Sequence, residues 1–586
     1  MCGIWAYIQL QEKGIPISKC FDDFYQLKHR GPTNSYFETY ENVCVGFHRL
    51  AIIDDTFHSN QPFILEDKDR TIIFICNGEI YNFKELISRY ELDTGIKNDC
   101  FVLPTIYQQL CQKGQERFFS DVIRNDVIGE FACILFEFNK SKTLTKVIVA
   151  RDEIGIRPLY YHPASHPSDE ALPRLNPTVT SDSLFFTSEL KGGHHYQEEL
   201  IEFPPGHILT YHFGEIVTVE SEDYSSVYST RPPLCLFDER LQTLWGEYEP
   251  TEEEYLQRVR MSVEHSVKRR LVADKPMAFL LSGGIDSSLV AALAAQTLDE
   301  PIRTFCCGMS EGTDLKFARD VAAHIGSIHT EVFFTPEDGL AAIPDVIRTI
   351  ESWDTTTVRA SVGQYLVSKY IGTQTDCKVV MVGEGPDEVC SSYLFNWYAP
   401  NGEALGHAAK DYVKKIHYYD VKRADRCISR WGLEGRVPLL DPEFIRSYWT
   451  IPAEERMPVY RQMEKWWLRK AFEGTLLPDH VLWRKKEAFS DGVSGEKSWY
   501  QIIQEWVDNK VTEEEMANAT TTYPYNTPKT KEAYYYRKLF CEYVGEHRQK
   551  VIPGYWQPKW SADGNEVTNY IDPSARVLSI YNTPTP

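Results

Sequence analysis

In the first part of the chain, apolar positions come in short runs separated by small and polar clusters. Ile4–Leu10, Val43–Ile53, Thr71–Cys76, Ala132–Phe138, Lys146–Ala150 and Leu184–Thr187 read as strands. Short runs rich in β-branched and aromatic residues suit a pleated, half-buried surface. Arg30-Gly31-Pro32 and Asn77-Gly78 read as turn signals between such runs. Ile17–Gln26 and Leu103–Lys113 read as helices. The pattern predicts an α+β domain of layered antiparallel sheets flanked by helices. Ser221–Pro250 is polar, contains Arg231-Pro232-Pro233 and reads as a linker.

A helix is expected over Glu252–Leu271, where Val259, Val263 and Val267 recur at helical spacing. From Pro276 onward the rhythm becomes strand, turn, helix. Pro276–Leu281, Ile302–Cys307, Thr330–Phe334 and Lys378–Val382 read as strands, and Leu289–Leu298, Lys316–Ile325 and Val362–Ile371 as helices. Such alternation predicts an α/β domain with a parallel sheet covered by helices. Beyond about Val511 the chain is polar and aromatic-rich without a usable period.

Composition narrows the partners. The 586 residues carry a net charge of −22, from 62 Lys and Arg against 84 Asp and Glu. That balance argues against duplex nucleic acid or a membrane surface, because phosphate backbones reward basic patches. Nucleotides remain open as ligands, since local groups and Mg²⁺ decide those sites. No run is long enough to span a membrane, and Met1-Cys2-Gly3-Ile4-Trp5 does not begin a signal peptide. The 14 cysteines show no C-x-x-C pair, so reduced thiols and a cytoplasmic location are expected. His194-His195 lacks further ligands at metal spacing and reads as surface loop.

Candidate chemistry concentrates first at Phe279-Leu280-Leu281-Ser282-Gly283-Gly284-Ile285-Asp286-Ser287-Ser288, an apolar strand entering a small-residue loop that opens a helix. Backbone N–H groups at a helix N-terminus bind phosphate oxygens, with the helix dipole behind them. The glycines permit close approach, and Ser282, Ser287 and Ser288 add hydroxyls. Asp286 repels phosphate unless a Mg²⁺ lies between them. A packing turn also uses Gly-Gly, but the full string resembles the pyrophosphate-binding loop of ATP pyrophosphatases, which cleave ATP between its α- and β-phosphates. It differs from the Gly-x-x-x-x-Gly-Lys loop. A second loop, Val382-Gly383-Glu384-Gly385-Pro386-Asp387-Glu388, follows the strand Lys378–Val382. By the strand-end rule it shares a carboxyl edge with the first, which brings Asp387 to the metal with Asp286. Arg359, after Thr355-Thr356-Thr357-Val358, and Lys486 are candidate clamps for nucleotide charge.

Removal of Met1 makes Cys2 the first residue. An α-amine with a reference pKa near 8 is then a base for its own thiol. A buried, inert cysteine is the competing reading of a bare Met-Cys start. The context is Arg30-Gly31-Pro32, His48-Arg49-Leu50-Ala51-Ile52-Ile53-Asp54, Asn77-Gly78-Glu79-Ile80-Tyr81-Asn82 and Ala150-Arg151-Asp152. This set resembles the class II glutamine amidotransferase domain, an N-terminal-nucleophile hydrolase. The resemblance implies that Cys2 attacks the glutamine amide. It implies that the Asn77 side chain and the Gly78 N–H form the oxyanion hole, and that Arg49 holds the substrate carboxylate. It gives the substrate ammonium to Glu79 and Asp99, and lines the pocket with backbone of Leu50, Ala51, Ile52 and Ile53. Phe101 stands where many relatives have Glu.

Domain order and further motifs resemble the glutamine-hydrolysing asparagine synthetase family over nearly the whole chain. These motifs are Thr355–Ser361, Trp431–Asp441, Lys486–Gly492, Asn526–Arg537 and Asp572-Pro573-Ser574-Ala575-Arg576. The resemblance implies a glutaminase domain over 2–205 and its end plus linker over 206–250. An ATP-pyrophosphatase-type synthetase domain follows over 251–550, with a tail over 551–586. It implies ATP at Leu281, Ser282, Gly283, Gly284, Asp286, Ser287, Ser288, Cys307, Val382, Gly383 and Lys486. Thr356, Arg359 and Glu384 are implied at aspartate or its adenylate, with Glu384 assisting ammonia's attack, and Mg²⁺ at Asp286 and Asp387. The implied substrates are glutamine, aspartate and ATP. An apolar passage for ammonia and a homodimer are the family's defaults. Val382 and Pro386 each replace a usual Ser, and Cys307 a usual Val or Ile. The alternatives are another carboxylate-activating amidotransferase on this scaffold, including lactam-forming relatives, and an inactive regulatory descendant.

Overall fold

The computed structural model describes residues 1–11, 15–162, 178–227, 250–487, 492–495 and 497–568. Arg231-Pro232-Pro233 of the expected linker, Ala488–Asp491 of the Lys486–Gly492 motif and Asp572–Arg576 lie outside the described residues. The chain divides into two units. The first is Met1–Ser226 with Val272–Lys275 and Ser429–Glu434, and the second is the remainder.

Twelve strands build the first unit: β1 Gly3–Gln9, β2 Asn34–Tyr40, β3 Val43–Arg49, β4 Phe63–Glu66, β5 Arg70–Ile80, β6 Gly129–Asn139, β7 Leu144–Arg151, β8 Tyr160–Tyr161, β9 Ser183–Thr187, β10 Ile201–Glu202, β11 His207–Phe213 and β12 Val217–Asp223. They form two six-stranded sheets, ordered β10-β8-β9-β1-β3-β2 and β12-β11-β7-β6-β5-β4. The strands pair antiparallel within both sheets, as expected. Strand alternation sets the layers. Ile73, Ile75, Ile134 and Phe136 of the second sheet pack with Ile4, Ala6, Val45 and Phe47 of the first. The opposite-facing Ile72, Phe74 and Cys76 pack against Leu86, Leu103 and Ile106 of helices Phe83–Arg89 and Val102–Gln112.

Three expectations need correction here. Asn77-Gly78 is not a turn but lies inside β5, opposite Ala132 and Phe131. Its glycine answers a close approach: a Cβ on Gly78 would lie 2.2 Å from the Glu130 carbonyl oxygen. The strand expected over Val43–Ile53 stops at Arg49, because the chain then wraps the Arg49 guanidinium. Its Nη1 donates to the Thr56 carbonyl at 3.0 Å and to Asn60 Oδ1 at 2.8 Å, and its Nη2 to the carbonyls of Ile53 and Asp54. The linker expected from Ser221 starts too early, since β12 runs on to Asp223 at the edge of the second sheet and the unit continues to Ser226.

The second unit opens with helix α1, Glu252–Arg269, capped by a Thr251–Glu254 capping box and burying Val259, Val263 and Val267. Its sheet holds β13 Met277–Leu280, β14 Arg303–Gly308, β15 Ile328–Phe333, β16 Val379–Met381 and β17 Glu434–Arg436. The order is β15-β14-β13-β16-β17, and the first four strands are mutually parallel. The chain builds outward from β13 through β14 to β15, then returns to the other side of β13 as β16. That reversal makes the β13–β16 carboxyl edge a topological switch point, where an open α/β sheet binds ligands. Helices α2 Ile285–Thr297, α3 Thr313–Ile325, α4 Pro336–Ile350 and α5 Thr355–Gln374 cover the sheet's connections.

The aromatic region beyond Val511, without a readable period, contains a helix at Lys531–Tyr543. Thr530 caps it, and Ala533, Tyr534, Tyr536, Arg537 and Phe540 are buried. A buried arginine concealed the apolar face: the Arg537 guanidinium stacks 3.6 Å from the Trp353 ring centroid. No described helix is long and apolar enough to cross a membrane.

Candidate active sites

Cys2 stands just before β1, and Asn77 sits on β5 of the facing sheet. Strand alternation turns Asn77 toward the first sheet, as it does Ile73 and Ile75. The Cys2 backbone N–H donates to Asn77 Oδ1 at 2.8 Å. Arg30 Nε donates to the Cys2 carbonyl at 2.8 Å, while its Nη1 bonds Glu189 at 2.7 Å. These contacts hold the thiol, whose Sγ accepts from the Leu50 N–H at 3.5 Å. Asn77 is fully buried, yet its Nδ2 has no hydrogen-bond partner. A buried donor without an acceptor is what an oxyanion hole looks like before substrate arrives.

Leu50, Ala51 and Ile52 are buried beside the thiol, and Ile53 is half-buried. Asp99 is buried and accepts the Ile80 N–H at 2.7 Å, while Cys100 Sγ lies 3.4 Å from the Gly78 carbonyl. These contacts bring Asp99 alongside β5 at Gly78 and Glu79. Burial pushes the Asp99 carboxyl up to about 6, and burial lowers the Arg49 pKa. Glu79 is buried. Arg49 lies within electrostatic reach of both Cys2 and Asp99, and Asn77, bonded to the Cys2 N–H, keeps an open donor. Phe101 packs on Phe63, with ring centroids 4.8 Å apart.

In the second unit, the loops after β13 and β16 meet at the switch point. A Cβ on Gly383 would lie 2.7 Å from the Ser287 nitrogen, so the two loops touch only because that residue is glycine. Gly283 has φ of +72°, which also favours glycine. Ser287 Oγ accepts the Ser282 N–H at 3.1 Å, and Ser282 Oγ accepts the Gly284 N–H at 3.3 Å. They rim an open cleft with Leu281, Cys307, Glu384, Asp387 and Lys486. Ser288 is buried behind the loop.

Asp286 and Asp387 do converge. Between them stands a residue that motif reading missed, Lys465, whose Nζ lies 2.5 Å from Asp286 Oδ2 and 2.6 Å from Asp387 Oδ1. Lys486 pairs with Asp387 Oδ2. Burial opposes it, yet the two lysines hold the Asp387 carboxyl well below the usual carboxylate range. Asp286 Oδ1 is buried without a partner. Two carboxylates, one with an orphaned oxygen, fit a Mg²⁺ that completes its shell with phosphate oxygens and water. No group of three or more acidic, His or Cys ligands exists among the described residues, so Asp286 and Asp387 would be the protein's ligands, with the other positions left to water or phosphate.

Glu384 is half-buried in the cleft, and burial raises its pKa while Arg423 opposes the rise. Its Oε1 accepts from Gln364 Nε2 at 2.9 Å and Arg423 Nη1 at 3.2 Å. Arg423 also pairs with Asp420 at 2.6 Å. Gln364, Asp420 and Arg423 were also missed, because nothing in their spacing distinguishes them from ordinary polar helix positions. Arg359 and Thr356 are not brought to the cleft lining. Arg359 forms a two-point ion pair with buried Glu532, at 2.7 and 2.5 Å. Thr356 Oγ1 is buried without a partner.

The departures at Val382 and Pro386 are absorbed by the fold. Val382 is buried, and its N–H donates to the Arg436 carbonyl at 3.1 Å. Pro386 is the first residue of the helical turn Pro386–Val389, where a missing N–H has no partner to lose.

A thiol amidotransferase site on layered antiparallel sheets and a nucleotide cleft at a parallel-sheet switch point define a glutamine-dependent synthetase. Comparison with known proteins agrees. A family model described as glutamine amidotransferase domain matches residues 1–227, and one described as asparagine synthase matches 258–410 and 399–568. The chain is 37% identical over 605 residues to the glutamine-hydrolysing asparagine synthetase of Gallus gallus, covering 100% of this chain and 99% of the relative. It is also 37% identical over 611 residues to that of Homo sapiens, at the same coverage. The chain belongs to the glutamine-hydrolysing asparagine synthetase family.

Proposed function

We propose that the chain converts L-aspartate to L-asparagine with ATP and glutamine, releasing AMP, pyrophosphate and glutamate. The observation carrying this reading is that one chain holds both a Cys2 whose N–H bonds a buried asparagine with an open donor and a cleft at the switch point of a parallel sheet. In the first unit, the Cys2 thiolate attacks the glutamine side-chain carbonyl. Charge developing on the carbonyl oxygen falls to Asn77 Nδ2 and the Gly78 N–H, and ammonia leaves. Water then releases glutamate from the thioester. Arg49 holds the substrate carboxylate, and Glu79 with Asp99 the ammonium.

In the second unit, an oxygen of the aspartate side-chain carboxylate attacks the α-phosphorus of ATP, displacing pyrophosphate and forming β-aspartyl-AMP. The loop Ser282–Ser288 and Lys486 hold the phosphates, and Leu281, Cys307 and Gly383 face the nucleotide. A Mg²⁺ held by Asp286 and Asp387 supplies charge neutralisation for the departing pyrophosphate. Ammonia attacks the acyl carbon, Glu384 accepts a proton, and AMP departs. Thr356 and Arg359 remain part of this proposal at the aspartate end of the site, as the family resemblance implies. Every cysteine among the described residues is a free thiol, which supports a reducing, cytoplasmic setting. A homodimer is carried over from the family.

The test is an assay with ATP, Mg²⁺, aspartate and either [amide-¹⁵N]glutamine or ammonia. Labelled asparagine with AMP and pyrophosphate is expected. Cys2→Ala should lose the glutamine route and keep the ammonia route. Adenylation of a different acid, or ligand binding without turnover, would overturn the assignment.

A further inference from the structure

The carboxylate pair at the switch point is already bridged by a cation that belongs to the protein. Lys465 is buried, with its side chain 1% exposed. It contacts both carboxylates expected to hold the metal, at 2.5 and 2.6 Å. A second ammonium, Lys486, contacts Asp387. Two carboxylates and two ammoniums make a neutral cluster. A divalent cation carries the same charge as the two lysines, so exchanging one for the other leaves the pair neutralised. The exchange frees two ammonium groups beside the loop Ser282–Ser288.

Without nucleotide, that exchange is unfavourable. A metal ion entering alone must displace a well-placed ammonium from both aspartates and leave it buried and unpaired, which is costly. With a triphosphate in the cleft, the displaced ammoniums acquire phosphate oxygens as partners, and the metal gains phosphate ligands. Other cations lining the cleft are already engaged within the protein, Arg423 with Glu384 and Asp420. Arg484 is paired with Asp314 and Glu487, and Arg469 with Glu464.

We propose that Lys465 is an internal counter-cation that competes with the divalent metal for Asp286 and Asp387. Metal binding therefore waits for nucleotide, after which Lys465 moves its charge to the pyrophosphate end of ATP. This rests on the assignment of Mg²⁺ to the two aspartates and adds a positioning residue that controls it. Lys465 adopts the left-handed backbone conformation, at φ of +56°, immediately before helix Trp466–Ala471.

The experiment measures Mn²⁺ binding to the full chain by electron paramagnetic resonance, with and without α,β-methylene-ATP. Wild type is expected to bind Mn²⁺ at least tenfold more tightly with the nucleotide analogue. Lys465→Met is expected to bind Mn²⁺ without nucleotide at least tenfold more tightly than wild type, because the competitor is gone. Lys465→Arg, which keeps the charge, should stay as weak as wild type. Unchanged nucleotide-free binding in Lys465→Met, or equal gains in the Met and Arg variants, overturns the proposal. Where Lys465→Met folds only with Mn²⁺ present, that dependence is the expected result; misfolding that Mn²⁺ does not relieve overturns it. A separate arm tests the metal assignment itself. If Asp286→Asn and Asp387→Asn leave nucleotide-dependent Mn²⁺ binding unchanged, the assignment fails regardless of what Lys465 does.

Discussion

The Cys2 N–H donates to Asn77 Oδ1 at 2.8 Å, while Nδ2 of the same buried amide has no partner. One end of the amide is thus engaged by the Cys2 backbone and the other is open, as the proposed oxyanion role requires. Asn77→Ala should lower glutaminase kcat by about 10²–10³-fold, the usual loss for an oxyanion donor. Ammonia-dependent asparagine formation should persist. Parallel assays of glutamate release and AMP release check both halves.

Asp99 makes glutamine use sensitive to acid. Burial favours its neutral form and pushes its carboxyl up to about 6. In the free enzyme it is protonated below that pH and charged above it, and only the charged form pairs with the substrate ammonium. Glutaminase kcat/KM should fall as pH drops through about 6, approaching tenfold per unit where one ionisation governs. A pH–rate profile of Asp99→Asn should lack this acid limb, at a uniformly raised KM for glutamine.

Glu384 separates the two halves of synthesis. Glu384→Gln keeps the contacts with Gln364 and Arg423 in size and shape but cannot accept a proton. Aspartate-dependent exchange of labelled pyrophosphate into ATP should survive, while asparagine formation from ammonia falls by about 10²–10⁴-fold, the span of general acid–base catalysis. Loss of both activities together would place Glu384 in adenylation instead.

Arg359 and Glu532 are buried partners, so removing one leaves a charge without compensation. Glu532→Gln should destabilise the protein by about 3–5 kcal/mol, read by chemical denaturation. The same variant discriminates between two roles of Arg359. If its guanidinium is solely a strut, KM for aspartate stays put at temperatures where the variant is folded. If it also serves substrate, KM rises.

Met1 is buried, and its ammonium lies 3.7 Å from Glu434. With Met1 attached, burial pushes the Cys2 thiol up to about 11. At pH 8 about a thousandth would be thiolate. Chain made without methionine aminopeptidase should therefore resist alkylation at Cys2 and lack glutaminase activity. Activity should track the cleaved fraction measured by mass spectrometry.

Much of this molecule was set locally. Strand runs such as Ala132–Phe138, the capped helix after Thr251 and the loop Ser282–Ser288 follow from neighbours in sequence, because period, caps and small-residue turns are short-range effects. The same holds for the type of chemistry, since a thiol at the second position and a serine-glycine loop before a helix carry their reactivity with them. The tertiary structure decided what lies opposite what. It made Asn77-Gly78 part of a strand, because a neighbouring carbonyl leaves no room for a side chain at Gly78. It ended a strand at Arg49 by wrapping carbonyls around a buried cation. It set Lys465 between two aspartates distant in sequence, and engaged Arg359 with Glu532. Pairings of this kind depend on strand order and on the exclusion of water from a shared interior. Both arise only when the whole chain has closed, and neither leaves a period or a motif for the sequence to display.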